Sequence, residues 1–487
     1  GIAMSHTHDI FLDHAATTPV HPQVLGLMLP FFGNHFATPS SPFTAGEKPR
    51  EALADARARV AALIGARPHE IVFTASGTEA NNLALLGIAL ACRGHVVVGP
   101  MEHASVMNAA SYLAELGCEV TVVPAHAGGM VDPAEIEDAV RKDTALISVM
   151  HASNETGAIQ PVNEVGRIAR ARGVPFHCDC VQSAGRMPVD VDAMNADLAS
   201  LSSHKLYGPK GAGALYVREG TKIAPVLFGS FRENGLRPGH LNMPSIVGFG
   251  RACEEAREGL ERNASVVQGL RDRLEQGIQG RIPGVTVNDV DCPRVPHIAS
   301  ISFDGVPCDA LAAWLDLDDI TVSPRASLFS QRQSHALEAL GLPAGLAFGT
   351  VRFSPGWENT EEEILRALGA VEQAVTRIRQ FSRRIGDDMT CIVTFASKNH
   401  IRRSLGYLEE AGIPCAVTAR PLELGHLGGP RIALAVPCPR QDEAVKTLES
   451  HRIKASGMHR LRGLCRQRSE QETRFWEKVA SVKGERP

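Results

Sequence analysis

The chain lacks the marks of several protein classes. No stretch approaches the roughly 20 consecutive apolar residues that a membrane helix needs. No CxxC pair occurs, and the eleven cysteines are scattered, with Cys178 and Cys180 as the close pair. Two thiols on one strand face do not make a zinc site, so no metal is expected. No excess of one charge is present. A net charge of -4 and a pI near 6.6 give no electrostatic reason to invoke nucleic acid or an anionic membrane. Gly1–Ala3 read as an added stub before a native Met4, and no leader pattern follows. Together these point to a reduced, cytoplasmic chain whose cysteines are mostly core filler.

With 487 residues, 44% hydrophobic and 21% charged, the composition is that of a globular protein of two or three domains. From about residue 55 to 217, helix-like runs such as "EALADARARVAALIGA" and "TEANNLALLGIALA" alternate with short apolar runs such as "EIVFTA", "HVVVGP", "ALISVMH", "VPFHCDC", "DLASLS" and "GALYV". That alternation predicts an α/β fold with a mostly parallel sheet covered on both faces. Residues 250–282 read as one long amphipathic helix. A smaller α/β unit follows, from "HIASISFDG" to "TEEEILRALGAVEQAVTRIRQF". After a charged break, "SRRIGDD", residues 389–456 show the βαββαβ order of a ferredoxin-like domain. The expected division is a large domain over 15–250 and a small α/β domain from 1–14 and 251–382. The 389–456 domain comes next, then a charged tail over 457–487.

In such sheets ligands sit beyond the carboxyl ends of the strands. Four polar clusters follow predicted strand ends. "FTASGTEANN" leads from a strand into Ser76-Gly77-Thr78 and a helix. The free N–H groups there, with the Thr78 hydroxyl, suit a phosphate. The same pattern also fits an ordinary serine cap. "GPMEHASV" places His103 where it is either structural or laid flat on a planar ring. "HASNETGAIQP" supplies Asn154. "PFHCDCVQSAG" ends an apolar strand on Asp179, with Gln182 after it. A carboxylate in that position needs a positive partner, and a protonated pyridine nitrogen is one. Finally, "LSSHKLYGPKGAGALYV" holds Lys205 on a tight turn beside Ser202 and His204. A Schiff-base lysine, a strand-end aspartate and a Gly-Thr phosphate cradle together imply pyridoxal 5'-phosphate.

Those stretches, with "FLDHAATTPV", "SSHKLYGPKGAGALYV", "GLRPGH", "RVPHIASISF" and "VRFSPGWENTEEEI", resemble the cysteine desulfurase (NifS/IscS-type) branch of the class V aminotransferases over about residues 11–380. The resemblance implies a fold-type I homodimer acting on a cysteine-like amino acid. It implies that Lys205 carries the cofactor, with Asp179 on the ring nitrogen, His103 stacked on the ring and Gln182 at the ring oxygen. Gly77, Thr78, Ser202 and His204 would hold the phosphate. Arg352 would grip the substrate carboxylate, with Asn154 near it and the ring oxygen. His240 stands where the family has a threonine that reaches the partner subunit's phosphate.

The resemblance has a gap. Family members carry a nucleophilic cysteine in a mobile loop, and "ITVSPRASLFSQRQSHALEALG" over 320–341 has none. Ser327 or its neighbours take that place, and serine cannot form a persulfide. Arg325 and Arg332 add positive charge there, either as solvated loop charges or, for Arg325, as a group that recognises an anionic or bulky side group. Residues 390–456 weakly resemble sulfur- or selenium-carrier domains but lack the cysteine expected in "ELGHLGGPRIAL". Cys391, Cys415 and Cys438 read as structural, and Cys438 as the best placed for an exposed thiol. Cys180 reads as packing. Three functions follow. The first is C–S or C–Se cleavage without a loop persulfide, as in a lyase. The second is a true desulfurase drawing its cysteine from the C-terminal domain or a partner. The third is a weakly catalytic scaffold that passes sulfur or selenium to an acceptor protein.

Overall fold

A computed structural model of the chain describes residues 9–327, 332–333, 335–385, 390–420 and 430–460. The chain enters through β1 (Ile10–Phe11) and then builds seven strands: β2 (Ile71–Thr74), β3 (His95–Val98), β4 (Val120–Val122), β5 (Thr144–Ser148), β6 (Phe176–Asp179), β7 (Leu198–Ser202) and β8 (Gly213–Val217). They lie in the order β2-β8-β7-β6-β5-β3-β4. β8 pairs antiparallel with both neighbours, and the remaining pairs are parallel. The expected mostly parallel sheet is therefore present. Its central strands are buried throughout because helices cover both faces. Two histidines inside the sheet are held by hydroxyls. His95 meets Thr144 and Thr121, and His177 meets Ser148 and Ser200. Burial lowers His177 to about 4, so it stays neutral.

A second sheet joins β9 (Val285–Val287), β10 (Ala299–Phe303), β12 (Ser323–Pro324) and β15 (Thr350–Phe353) in the order β12-β15-β10-β9. β11 (Ile320–Thr321) pairs parallel with β1, and this brings the N-terminal strand to the small sheet. Between β12 and β15, β13 (Ala326–Ser327) and β14 (Arg332–Gln333) pair antiparallel. The side chains of Ser327 and Arg332 lie outside the described residues.

The third sheet contains β16 (Thr390–Thr394), β17 (Ala416–Ala419), β18 (Ile432–Pro437) and β19 (Gly457–Arg460), in the antiparallel order β17-β18-β16-β19. With helices Lys398–Glu410 and Gln441–Ser450 between strands, this is the ferredoxin-like arrangement. One apolar cluster runs from Leu311 and Trp314 of the helix Cys308–Leu317 into Val393, Phe395 and Val417 of this sheet. Lys398 bonds the Asp316 carbonyl at 2.7 Å and its carboxylate at 2.9 Å, and Arg402 pairs with Asp319 at 3.0 Å. Among the described residues no helix is long and apolar enough to cross a membrane.

Four expectations need correction. The single helix over 250–282 is two helices, Met243–Glu258 and Leu260–Arg281. Gly259 separates them, since glycine is a poor helix former and here leaves helical geometry at ψ 5°. The break at "SRRIGDD" starts late, because the helix Glu361–Ile385 runs through its first residues. The last strand, read in "RIKASGM", begins only at Gly457 and reaches past residue 456. Cys438 is no free thiol, because it forms a disulfide with Cys391 across a Cα separation of 5.1 Å. The "ELGHLGG" stretch and the tail beyond residue 460 lie outside the described residues.

Candidate active site

β2, β3, β5, β6 and β7 run in one direction, so their carboxyl ends open on the same edge of the sheet. A cavity of about 390 Å³ lies there. β2 delivers Ser76, Gly77 and Thr78, and β6 delivers Asp179. β7 delivers Ser202, and the turn Ser203–Lys205 carries His204 and the lysine. β15 of the small sheet brings Arg352, and the segment after β1 brings Ala15 and Ala16. All the candidate residues except His240 line this one cavity. His240 is exposed and lies outside it.

Lys205 Nζ donates to the carbonyls of Ala15 at 2.5 Å and Ala16 at 2.8 Å. Burial, then the nearby Arg352 charge, lowers it to about 8 against the pull of Asp13 and Asp179. Near neutrality a usable fraction is therefore the free amine, the form that attacks an aldehyde. Burial likewise lowers His204 to about 4, helped by Lys205 and Lys210, and its Nδ1 meets Thr17 Oγ1 at 3.0 Å. Asp179 Oδ1 accepts from Val181 N–H at 2.9 Å and Oδ2 from Asn81 Nδ2 at 2.7 Å. Gln182 Nε2 donates to the Ala15 carbonyl at 2.9 Å, and its Oε1 meets His297 at 3.2 Å.

The two arginines are held differently. Arg352 donates to the Asn154 carbonyl and to Asp13 at 2.8 Å, while its buried Nε has no protein partner. Arg325 is neither a solvated loop charge nor a free anion receptor. It lines the cavity, but Glu155 holds its guanidinium through two nitrogens.

The residues fit pyridoxal phosphate. The Ser202 hydroxyl is buried with no protein partner, as a phosphate ligand would be. A Cβ on Gly77 would come 2.8 Å from Val181 Cγ2 and 3.3 Å from Ser202 Cβ, so only glycine leaves the cradle open. The helix Gly77–Cys92 aims its N-terminus at that cradle. An acidic group, Asp179, and an amine, Lys205, in the same cavity complete the set.

Sequence reading missed five participants. Asp13 and Glu155 neutralise the two arginines. Asn81 and Ser105 bond inside the cavity wall, and Glu102 sits buried behind it. Signals existed. Glu102 and Ser105 flank His103 in "MEHASV", and Asn81 lies one helical turn beyond Thr78. Among the described residues no cysteine lines the cavity. Cys180 is fully buried and bonded to Cys178 and His151. A small apolar cluster of Met101, Met150 and Ala336 packs the segment after β14 against the site.

The sequence model of the family "Aminotransferase class-V" matches residues 10–367 and so stops ahead of the third sheet. The chain is 44% identical over 383 residues to "Cysteine desulfurase IscS" of Anaeromyxobacter dehalogenans, covering 77% of this chain and 94% of that one. Among solved structures it is similar to a "NifS-like protein" with a TM-score of 0.72 and 34% identity, over 76% of this chain and 99% of that one. It is also similar to "SspA in complex with cysteine", with a TM-score of 0.64 and 34% identity, over 72% of this chain and all of the other.

Proposed function

The chain belongs to the NifS/IscS-type branch of the class V aminotransferases, pyridoxal-phosphate enzymes of fold-type I, and on that footing we propose that it cleaves the C–S bond of cysteine, or the equivalent bond of a selenium or other β-substituted analogue, without a persulfide on a loop cysteine. One observation carries the reading. The cavity holds the full lysine, aspartate, histidine and arginine set, yet no cysteine occurs between Cys308 and Cys391 and none of the described ones lines the cavity.

Bound pyridoxal phosphate supplies an electron sink that acidifies the substrate's α-proton and lets a β-substituent leave. Lys205 is the amine that would hold it, and the lowering to about 8 suits Nζ to take a proton near neutrality. Asp179, braced at both oxygens, would face the ring nitrogen. Ser202, Thr78 and the helix N-terminus would bind the phosphate. Arg352, with Nε unpartnered, would take the substrate carboxylate. Arg325 and Glu155 form the neighbouring wall and orient the side group by a neutral pair. The packed Met101–Met150–Ala336 cluster limits water on that side. A thiolate leaves readily once its carbon neighbour is deprotonated, so no attacking cysteine is needed.

The same reading makes the protein a homodimer in which His240 serves the other copy's phosphate. Phe228 and Phe231 are each 85% exposed, and Phe36 is 79% exposed. Arg232 bonds Ser40 at 3.1 Å, which joins the segment after Phe231 to the one after Phe36. The released sulfide or selenide would pass to a separate acceptor.

Product analysis of the pyridoxal-phosphate-loaded protein, given L-cysteine and L-selenocysteine separately, tests the reading. Turnover should occur with no persulfide trapped on the enzyme. Lys205→Ala should abolish it. A persulfide trapped on any cysteine, with turnover lost when that cysteine becomes serine, would replace this reading with the desulfurase that draws its thiol from elsewhere.

A further inference from the structure

The helix Gly77–Cys92 contains an asparagine, Asn81, only 1% exposed. Asparagine is a poor helix-interior residue, and a buried amide is costly unless bonded. Asn81 Nδ2 donates to Asp179 Oδ2 at 2.7 Å and to Ser105 Oγ at 2.9 Å. An amide nitrogen carries two hydrogens, so both bonds form together. The flipped amide would set its oxygen against the Asp179 carboxylate, so the orientation is fixed. On the far side, Ser105 Oγ lies 2.8 Å from His103 Nδ1, and the Ser105 backbone N–H donates to that same nitrogen at 3.1 Å. A backbone N–H can only donate, so Nδ1 must hold its lone pair there. The Ser105 hydroxyl, already accepting from Asn81, has its own hydrogen free for Nδ1. Every bond in the chain therefore runs outward from Asn81. One arm goes to the carboxylate and the other, through Ser105, to the imidazole.

We infer that Asn81 and Ser105 are positioning residues that fix His103 as the Nε2–H tautomer and tie its ring to Asp179. The relay consists of protein atoms, and its consequence for turnover rests on the proposed reading of the cavity. Nε2 is then the nitrogen of His103 that carries a proton to give. A proton placed on Nδ1 would displace two donors at once. Asp179 and His103 do not turn independently, because Asn81 and Ser105 together link them. The carboxylate that would face the ring nitrogen and the imidazole that would lie on the ring are thereby held in one hydrogen-bonded network.

Nitrogen NMR of the full-length protein labelled with 15N-histidine tests this, with and without pyridoxal phosphate. His103→Gln identifies the His103 signals. The native protein should show an unprotonated Nδ1 and a protonated Nε2. Ser105→Ala and Asn81→Leu leave the backbone N–H of residue 105 on Nδ1, so each should move both signals only partway toward a tautomer average, and Ser105→Thr, which keeps the hydroxyl, should not move them. In Ser105→Ala, kcat should fall about five-fold, the value of one hydrogen bond, with KM nearly unchanged. His103 signals unaltered in Ser105→Ala would overturn the relay. A protein that gains no cofactor absorbance on adding pyridoxal phosphate, but still shows the tautomer shift, would overturn the proposed function and support the relay.

Discussion

Glu102 shows how one buried group sets a pH dependence. It is 1% exposed, its Oε1 accepts from Met150 N–H at 2.7 Å, and its Oε2 has no partner. Burial raises its pKa well above the ordinary carboxyl value, and the nearby Asp179 charge adds to this. The folded chain therefore keeps a proton here that the unfolded chain releases above about 4.5. Stability contributed at this site falls as pH rises above that value, because the folded state binds more protons. Glu102→Gln mimics the protonated acid and removes the slope. Its denaturation midpoint, relative to the native chain, should rise between pH 5 and pH 8. An offset that stays constant across that range would show that Glu102 ionises in the fold.

At the scale of elements, the helix Gly77–Cys92 is positioned by its first turn. Ser76 caps it by accepting from Glu79 N–H at 3.1 Å, and Arg237 pairs with Glu79 at 2.9 Å. The opening glycine lets the helix approach β6 and β7 closely enough to form the cradle. Gly77→Ala adds a methyl that meets Val181 and Ser202 at sub-contact distance. Overpacking of this kind costs about 1–3 kcal/mol. Pyridoxal phosphate should bind Gly77→Ala roughly ten-fold or more weakly in an absorbance titration. Unchanged affinity would place the phosphate elsewhere. The helical pattern of this segment and its strand neighbours was legible in the sequence, because period and burial agree there. The break at Gly259 was not, since apolar periodicity runs across it.

At the scale of the molecule, the proposed homodimer would cover the exposed Phe36, Phe228 and Phe231. Sedimentation should give twice the chain mass of 52.2 kDa. Phe228→Glu combined with Phe231→Glu should shift the protein toward monomer and weaken cofactor binding, since His240 would lose its site. A native protein that sediments as a monomer would sink both claims. The third sheet is fastened to the rest by Lys398 and Arg402, which hold the turn Asp316–Asp319. From Asp319 the chain runs directly into β11 and on to Arg325 in the cavity wall.

The sequence by itself determined the strand order along the chain, the residues at each strand end and the cofactor they suit. These are local properties: burial period, turn chemistry, and a lysine flanked by serine and histidine. Only the tertiary structure decided which charges are free. Arg325 and Glu155 lie far apart in the chain, as do Arg352 and Asp13, and Asn81 meets Asp179 and Ser105 across three strand ends. Such partners carry no shared period or spacing. They meet because parallel strands bring distant residues to one edge, and that edge exists only once the sheet has formed.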